Sequence, residues 1–359
     1  MLFQRAAKRE FAQTATTVFV ALFAILLTTQ LIRLLGQAAG GKIASEGVIA
    51  LLGFGAINYL PTLLSLTLFI SILMTLSRSY RDSEMAIWFS AGVPLTAWVR
   101  PVLSFALPLV ILVGVLSIFL SPWALTKSAE YRQRMDERDD VSRITPGAFQ
   151  ESSQAERVFF VEAIAGDQGR VRNVFVSSVH QGRLGIVVAA EGHAEMSPEG
   201  DRFLVLDQGR RYEGQPGSLE FRLMEFERYG VRIETKEGRG VEQTRKNMPV
   251  WELLRQPTPG NLGELLWRVG MPALALNLAL LAIPLSFVNP RAGRTNNLIF
   301  ALLTFMIYSN MIGVSKAWVS QGKLPFEIGV WAVHAAMFIG MLTLFSRRIV
   351  VVSWRRWWR

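Results

Sequence analysis

Six long stretches of the sequence contain no Asp, Glu, Lys or Arg: Phe11–Ile32, Gly47–Ser77, Pro101–Thr126, Val269–Pro290, Thr295–Ser315 and Ile328–Ser346. A bilayer core of roughly 30 Å takes about 20 residues of helix to cross. At that depth the backbone N–H and C=O groups must satisfy one another within the segment, so uncharged runs of this length predict six transmembrane helices. The second run exceeds what a crossing needs, and its start, from Gly47 to about Gly53, is expected as an interfacial lead-in. Met85–Val99, with 15 residues, is too short to span.

The 359-residue chain carries 38 Lys and Arg against 28 Asp and Glu, a formal charge of +10. Their positions decide what that charge means. Residues 127–262 hold 20 basic and 22 acidic side chains, whereas the apolar remainder holds 18 and 6. Basic residues confined to the flanks of apolar runs speak for membrane topology and against nucleic acid, because Lys and Arg are retained on the cytoplasmic side. One set of helix ends carries thirteen of them, beginning with Arg5, Lys8 and Arg9; the opposite short loops carry four, Arg33, Lys42, Lys316 and Lys323. Both termini are therefore expected in the cytoplasm and the long insert between helices 3 and 4 outside. The terminal Trp354, Trp357 and Trp358, set among arginines, suit an interfacial anchor. The first apolar run is longer than a signal-peptide core and no small-x-small site follows it, so no cleaved leader is expected. With no cysteine, disulfides and thiolate metal sites are excluded.

The insert has strand-like segments, Arg157–Ala163, Val171–Val179, Gly185–Ala190, Arg202–Asp207 and Leu219–Ile233, rich in Val, Phe, Tyr and Ile and separated by Gly or Pro turns. Alternation as in Glu220-Phe221-Arg222-Leu223 predicts an antiparallel β-domain, sandwich or roll-like. Lys127–Asp140 reads as a charged helical continuation of helix 3. The expected fold is thus an α-helical integral membrane protein with six transmembrane helices and an inserted all-β, jellyroll-like domain. Its parts are residues 1–126 (helices 1–3, with a short helix near 82–95), 127–262 (the β-domain and its helical lead-in) and 263–359 (helices 4–6 and a basic, Trp-rich tail).

No catalytic, cofactor or metal site is expected. Gly36-Gln37-Ala38-Ala39-Gly40-Gly41-Lys42 fits the opening of a phosphate-binding loop, but Ile43 stands where Ser or Thr would ligate magnesium, and the segment follows a helix instead of a strand. His180 and His193 are isolated in the β-domain. Inside the six runs the one titratable candidate is His334, read as a hydrogen-bonded packing residue. A carrier driven by ions or protons places ionisable groups near the midplane; this chain lacks them, so its energy is expected from a partner.

Two features point to function. Between helices 2 and 3, Asp82-Ser83-Glu84 precedes Met85, Ile87, Trp88 and Phe89, and Gly92-Val93-Pro94 follows. Ser83 is placed to cap a short helix and Glu84 to complement its dipole. Such a helix either lies on lipid or is offered to a soluble partner with Glu84 as anchor. The second feature is Arg33 and Lys316, basic residues on the side that topology disfavours. Snorkelling to the interface accounts for them, and so would a phosphate-bearing amphiphile entering from the outer leaflet. A membrane-anchored sensor or assembly scaffold, whose β-domain binds a ligand outside, is the alternative from another functional class.

Five motifs carry a resemblance: Leu31-Ile32-Arg33-Leu34-Leu35-Gly36, Asp82-Ser83-Glu84, Gly147-Ala148-Phe149-Gln150, Gln208-Gly209-Arg210-Arg211-Tyr212-Glu213-Gly214, and the stretch Ile283-Pro284-Leu285-Ser286-Phe287-Val288-Asn289-Pro290-Arg291-Ala292-Gly293-Arg294. The chain resembles, nearly end to end, the permease family of the lipopolysaccharide-transport ABC exporter, and its F-type more than its G-type subunits. The resemblance implies a periplasmic β-jellyroll inserted after the third of six transmembrane helices. It implies a heterodimer with a G-type permease paralogue on a dimeric cytoplasmic ABC ATPase, which hydrolyses the ATP. The assembly would extract lipopolysaccharide from the outer leaflet of the bacterial inner membrane, among membrane lipids, and pass it to periplasmic jellyroll bridge proteins for outer-membrane biogenesis. Carried onto this chain, the resemblance assigns ATPase coupling to Glu84 with Asp82, Met85 and Trp88, and contact with lipid phosphates to Arg33 and Lys316. Asp82 stands where the family pattern has Glu, and the Trp- and Arg-rich tail after Val350 receives no role.

Overall fold

The computed structural model describes residues 2–40, 43–142, 149–151, 157–165, 170–180, 183–196, 202–214, 221–232, 244–287 and 295–349. They form two compact units, Met1–Arg132 with Gln243–Arg359, and Gln133–Glu242.

The first unit is helical. Helices α1 (Leu2–Ala39) and α2 (Val48–Arg81) are followed by the short α3 (Glu84–Ser90). Helix α4 (Val99–Val115) continues through a π-helical turn, Leu116–Leu120, into α5 (Ser121–Ser142), whose residues after Arg132 belong to the second unit. After the insert come α6 (Val250–Arg255), α7 (Pro259–Leu285), α8 (Thr295–Ser320) and α9 (Phe326–Ile349). Among the described residues six segments are long and apolar enough to cross a membrane: Gln4–Ala39, Ser45–Arg81, Leu95–Met135, Pro259–Leu285, Leu298–Ser320 and Phe326–Arg348. Each contains one of the uncharged runs, Val269–Pro290 and Thr295–Ser315 in their greater part, and the charged continuation of helix 3 is helical through Ser142. The expected interfacial lead-in at Gly47–Gly53 is not separate: a 3₁₀ turn at Ser45–Gly47 feeds directly into α2 at Val48. Nothing there breaks the helix, since Leu51 and Val48 pack with Leu34 and Ile43 in a small cluster of their own.

Helices α2 and α7 are the most enclosed, and Leu68, Phe69, Ile72, Leu274, Leu278 and Ala282 are among the residues of the shared core. Polar groups join helices within the apolar layer. Asn277 Nδ2 donates to Tyr308 Oη (2.8 Å) and to the His334 carbonyl (3.1 Å), and Tyr308 Oη lies 2.6 Å from His334 Nδ1. His334 is therefore a buried link between α7, α8 and α9, the packing role expected of it.

The second unit is a six-stranded antiparallel sheet whose neighbours follow sequence order: β1 (Phe149–Glu151), β2 (Arg157–Ala165), β3 (Arg170–His180), β4 (Arg183–Met196), β5 (Arg202–Gly214) and β6 (Phe221–Arg232). Val171, Val174, Val176, Val187, Ala189 and Leu206 form its apolar core. β4 and β5 run well past the short segments legible in sequence, because they pair with each other from Leu184↔Gly214 to Met196↔Arg202. One row interrupts the ladder. Asn173 and Gln208 have positive φ (51° and 52°), and beside Gln208 a Cβ on Gly209 would sit 2.5 Å from the Val188 carbonyl and 2.4 Å from the Phe226 ring. Glycine is required there by close approach.

Candidate functional site

The chain leaves α2 through Asp82 and Ser83. Ser83 takes the N-cap position of α3, but at φ 62° and without a side-chain hydrogen bond. An N-cap hydroxyl reaches the first-turn N–H groups from an extended backbone; the left-handed turn that separates α3 from α2 denies it that position, so the expected cap is not made. Gly92 at φ 82° closes the other end, with Gly92 N–H bonded to the Phe89 carbonyl and Val93 N–H to the Trp88 carbonyl, 3.0 Å each. This is a Schellman-type stop.

Between these turns Met85, 1% exposed, plugs α3 into the bundle core beside Leu95 and Trp98, and Trp88 packs against the same cluster. Ile87 and Phe89 stay exposed, and Asp82 and Glu84 stand at the start. The helix is thus fixed by one face and offers an apolar surface with an acidic edge. Around it, Arg78 pairs with Glu10 and reaches Asp82 at 3.9 Å, and Tyr80 packs on Phe89 and Phe287.

Lys316 is at the opposite end of the bundle. Its Nζ lies 2.7 Å from Glu264 Oε2 and 5.5 Å from the centre of the Trp267 ring. Glu264 Oε1 in turn accepts from Arg268 Nε at 3.2 Å, one helical turn along α7. The Arg268 guanidinium donates to three carbonyls of the segment entering α7, Met248 (2.8 Å), Lys246 (3.0 Å) and Arg245 (3.2 Å). Gly263 allows this meeting: a Cβ there would lie 2.9 Å from the Lys316 carbonyl and 1.9 Å from Ser320 Oγ, so α7 and α8 touch backbone to backbone.

The Glu264, Arg268 and Lys316 side chains are 7%, 2% and 26% exposed. Two cations share one carboxylate, which leaves a positive charge on the most exposed member. Arg33, at the same end on α1, is exposed and hydrogen-bonded to Gln30 of its own helix, above the buried Leu34. Arg33 and Lys316 thus have separate neighbours.

Charge-free runs could not reveal Glu264 and Arg268, because each charge simply ended a run. The available signal was their i,i+4 spacing just inside an apolar helix. Among the described residues no cluster of His, Asp and Glu could hold a metal ion. In the β-domain His193 Nδ1 lies 3.3 Å from Asp207, while Arg210 bonds Glu225 and Arg211 bonds Tyr229 across β5 and β6. Gly41, Lys42, Gly147, Ala148, Val288–Arg294 and the tail with Trp354, Trp357 and Trp358 lie outside the described residues.

Among the described residues, six apolar spans, an inserted antiparallel sheet and a short helix locked at one end of the bundle make a multi-pass membrane protein. The profile described as "Lipopolysaccharide export system permease LptF/LptG" matches residues 5–347, and the chain belongs to that family. It is similar to the lipopolysaccharide export system permease protein LptF of Escherichia coli strain K12, 27% identical over 337 residues that cover 93% of this chain and 92% of the relative. The same protein from Escherichia coli O157:H7 and from Shigella flexneri matches to the same extent. The chain is accordingly a permease subunit of lipopolysaccharide export and an inner-membrane protein.

Proposed function

We propose that this subunit pairs with a G-type paralogue on a separate cytoplasmic ATPase, and that α3 is the element through which the ATPase acts. The observation that carries this reading is the mounting of α3. Met85 fixes it to the bundle core, while Ile87 and Phe89 are exposed and the partly exposed Glu84 stands at its start. A short helix held in this way moves as a rigid body with the helices behind it.

ATP-driven closure of the partner would then narrow the space between the two permeases, and the bound amphiphile would lose its apolar contacts and leave. The ends bearing α3 would be cytoplasmic, the β-domain periplasmic, and lipid would pass from the outer leaflet along the β-domain to a bridge of β-proteins. Strand addition at a sheet edge suits that handover.

At the far end Lys316 and Arg33 would meet the phosphates of lipopolysaccharide. The excess positive charge of the Glu264–Arg268–Lys316 cluster supports this for Lys316, since an arriving phosphate would neutralise what Glu264 alone does not. The test is lipid-stimulated ATP hydrolysis by the reconstituted assembly with Glu84→Ala in this chain. Uncoupled hydrolysis in an intact complex is expected; full stimulation and transport would remove the role given to α3.

A further inference from the structure

Helices α7, α8 and α9 pack closely at one end, and toward the other, where Met341, Phe345, Ala301 and Phe305 still join the core, their outer faces leave a surface groove. At the close-packed end a Cβ on Gly329 would meet Val319 Cγ2 at 2.5 Å, and one on Gly263 would meet Ser320 Oγ at 1.9 Å; on Gly340, further along α9, it would meet nothing within 4 Å. The groove has a volume of about 330 Å³ and is open along one side.

Leu281 and Leu285 of α7 and Thr304 of α8 form one part of its lining; Met337, Gly340, Thr343 and Leu344 of α9 form the rest. Both threonine hydroxyls are turned onto their own helices, Thr304 to the Phe300 carbonyl and Thr343 to that of Gly340, 2.7 Å each. The lining therefore presents methyl groups and needs no polar ligand. It lies wholly within segments apolar enough to cross a membrane, and Gly340 and Thr343 are exposed, so it opens sideways.

Just past the end marked by Leu285 and Leu344 stand two cations. Arg347 and Arg348 follow Thr343 and Leu344 by one turn each on the same faces of α9, and the Arg348 guanidinium rests 3.8 Å over the Phe287 ring. An apolar slot at acyl depth with guanidiniums at headgroup depth matches an anionic amphiphile in both of its parts.

We propose that this groove is a binding site for an anionic glycerophospholipid of the leaflet at the α3 end of the bundle, one acyl chain lying along Gly340 and the phosphate held by Arg347 and Arg348. It is separate from the Lys316 end and does not depend on the roles proposed there.

The test uses the full chain in its assembled complex in nanodiscs, with phosphatidylglycerol carrying a photoreactive diazirine on an acyl chain and the matching phosphatidylcholine. Phosphatidylglycerol is expected to label the stretch Met337–Leu344 in preference to phosphatidylcholine. Gly340→Leu or Gly340→Phe, which fill open space, should each abolish that labelling in an assembled complex. Arg347→Gln with Arg348→Gln should leave labelling in place and reduce the preference by about fivefold per arginine. Equal labelling by the two lipids in the wild type, unchanged labelling in both filled variants, or a protein helix cross-linked in the groove in place of lipid would overturn the assignment.

Discussion

Lys316 Nζ lies 2.7 Å from Glu264 Oε2, so a cation placed against the topology bias is held by a carboxylate from the neighbouring helix. The same carboxylate is shared with Arg268. Breaking a buried pair by removing one partner costs about 3–5 kcal/mol, because the other charge is left uncompensated. Glu264→Ala should therefore lower the thermal midpoint of the purified permease most. Glu264→Gln, which keeps an acceptor for Arg268, should lower it less, and Lys316→Gln less again because Glu264 retains Arg268. A fluorescence melting series in one detergent checks that order.

On the proposed phosphate contact, Lys316→Glu and Arg33→Glu should each reduce photo-crosslinking to lipopolysaccharide at low ionic strength, and Arg33→Lys should be milder than Arg33→Glu. A guanidinium binds phosphate through two parallel bonds and an ammonium acts as a point charge. Arg33 is exposed and Lys316 partly so, and the deficit should shrink near 1 M salt, where the Debye length is about 3 Å. Undiminished crosslinking in the double Glu variant would reduce both residues to interfacial cations.

Glu84→Ala should keep the fold and lose coupling. A partly exposed carboxylate contributes little to the isolated chain, whereas one desolvated against a partner can be worth 2–5 kcal/mol. The thermal midpoint should stay near that of the wild type while co-purification of the ATPase, or its stimulation by lipid, falls. Met85→Ala should do the reverse in part, lowering the midpoint, since Met85 is the buried plug that fixes α3.

In the β-domain, Gly209→Ala should destabilise the sheet, because the added methyl would meet the Val188 carbonyl at 2.5 Å and the Phe226 ring at 2.4 Å. Overpacking of this kind costs about 1–3 kcal/mol. Limited proteolysis should cut the variant inside the insert sooner than the wild type, with the membrane helices unaffected.

Much of this architecture is written in the sequence because the membrane enforces it. The spans are legible where charge is absent for about 20 residues, a constraint that no tertiary contact can override. The strands are legible through alternation, but the lengths of β4 and β5 come from mutual pairing, which no single segment records. Positive φ at Ser83 and Gln208 was hidden because neither is glycine, and each is held by its surroundings. At the site, Arg33 and Lys316 stand out as cations against the topology bias, and Glu84 as the acid that opens a short helix. Glu264 and Arg268 do not, since their significance lies in a contact between α7 and α8 made possible by Gly263, 53 residues from Lys316.

The measurement closest to the central claim is ATP-dependent extraction of lipopolysaccharide from proteoliposomes holding this chain, a G-type partner and the ATPase, with crosslinks to a photoreactive residue in the β-domain recorded over time. The account predicts that lipopolysaccharide reaches the β-domain only when ATP is hydrolysed, and that Glu84→Ala in an intact complex abolishes its arrival. Crosslinks that form equally without ATP, or that persist at wild-type rate in the Glu84→Ala assembly, would contradict it.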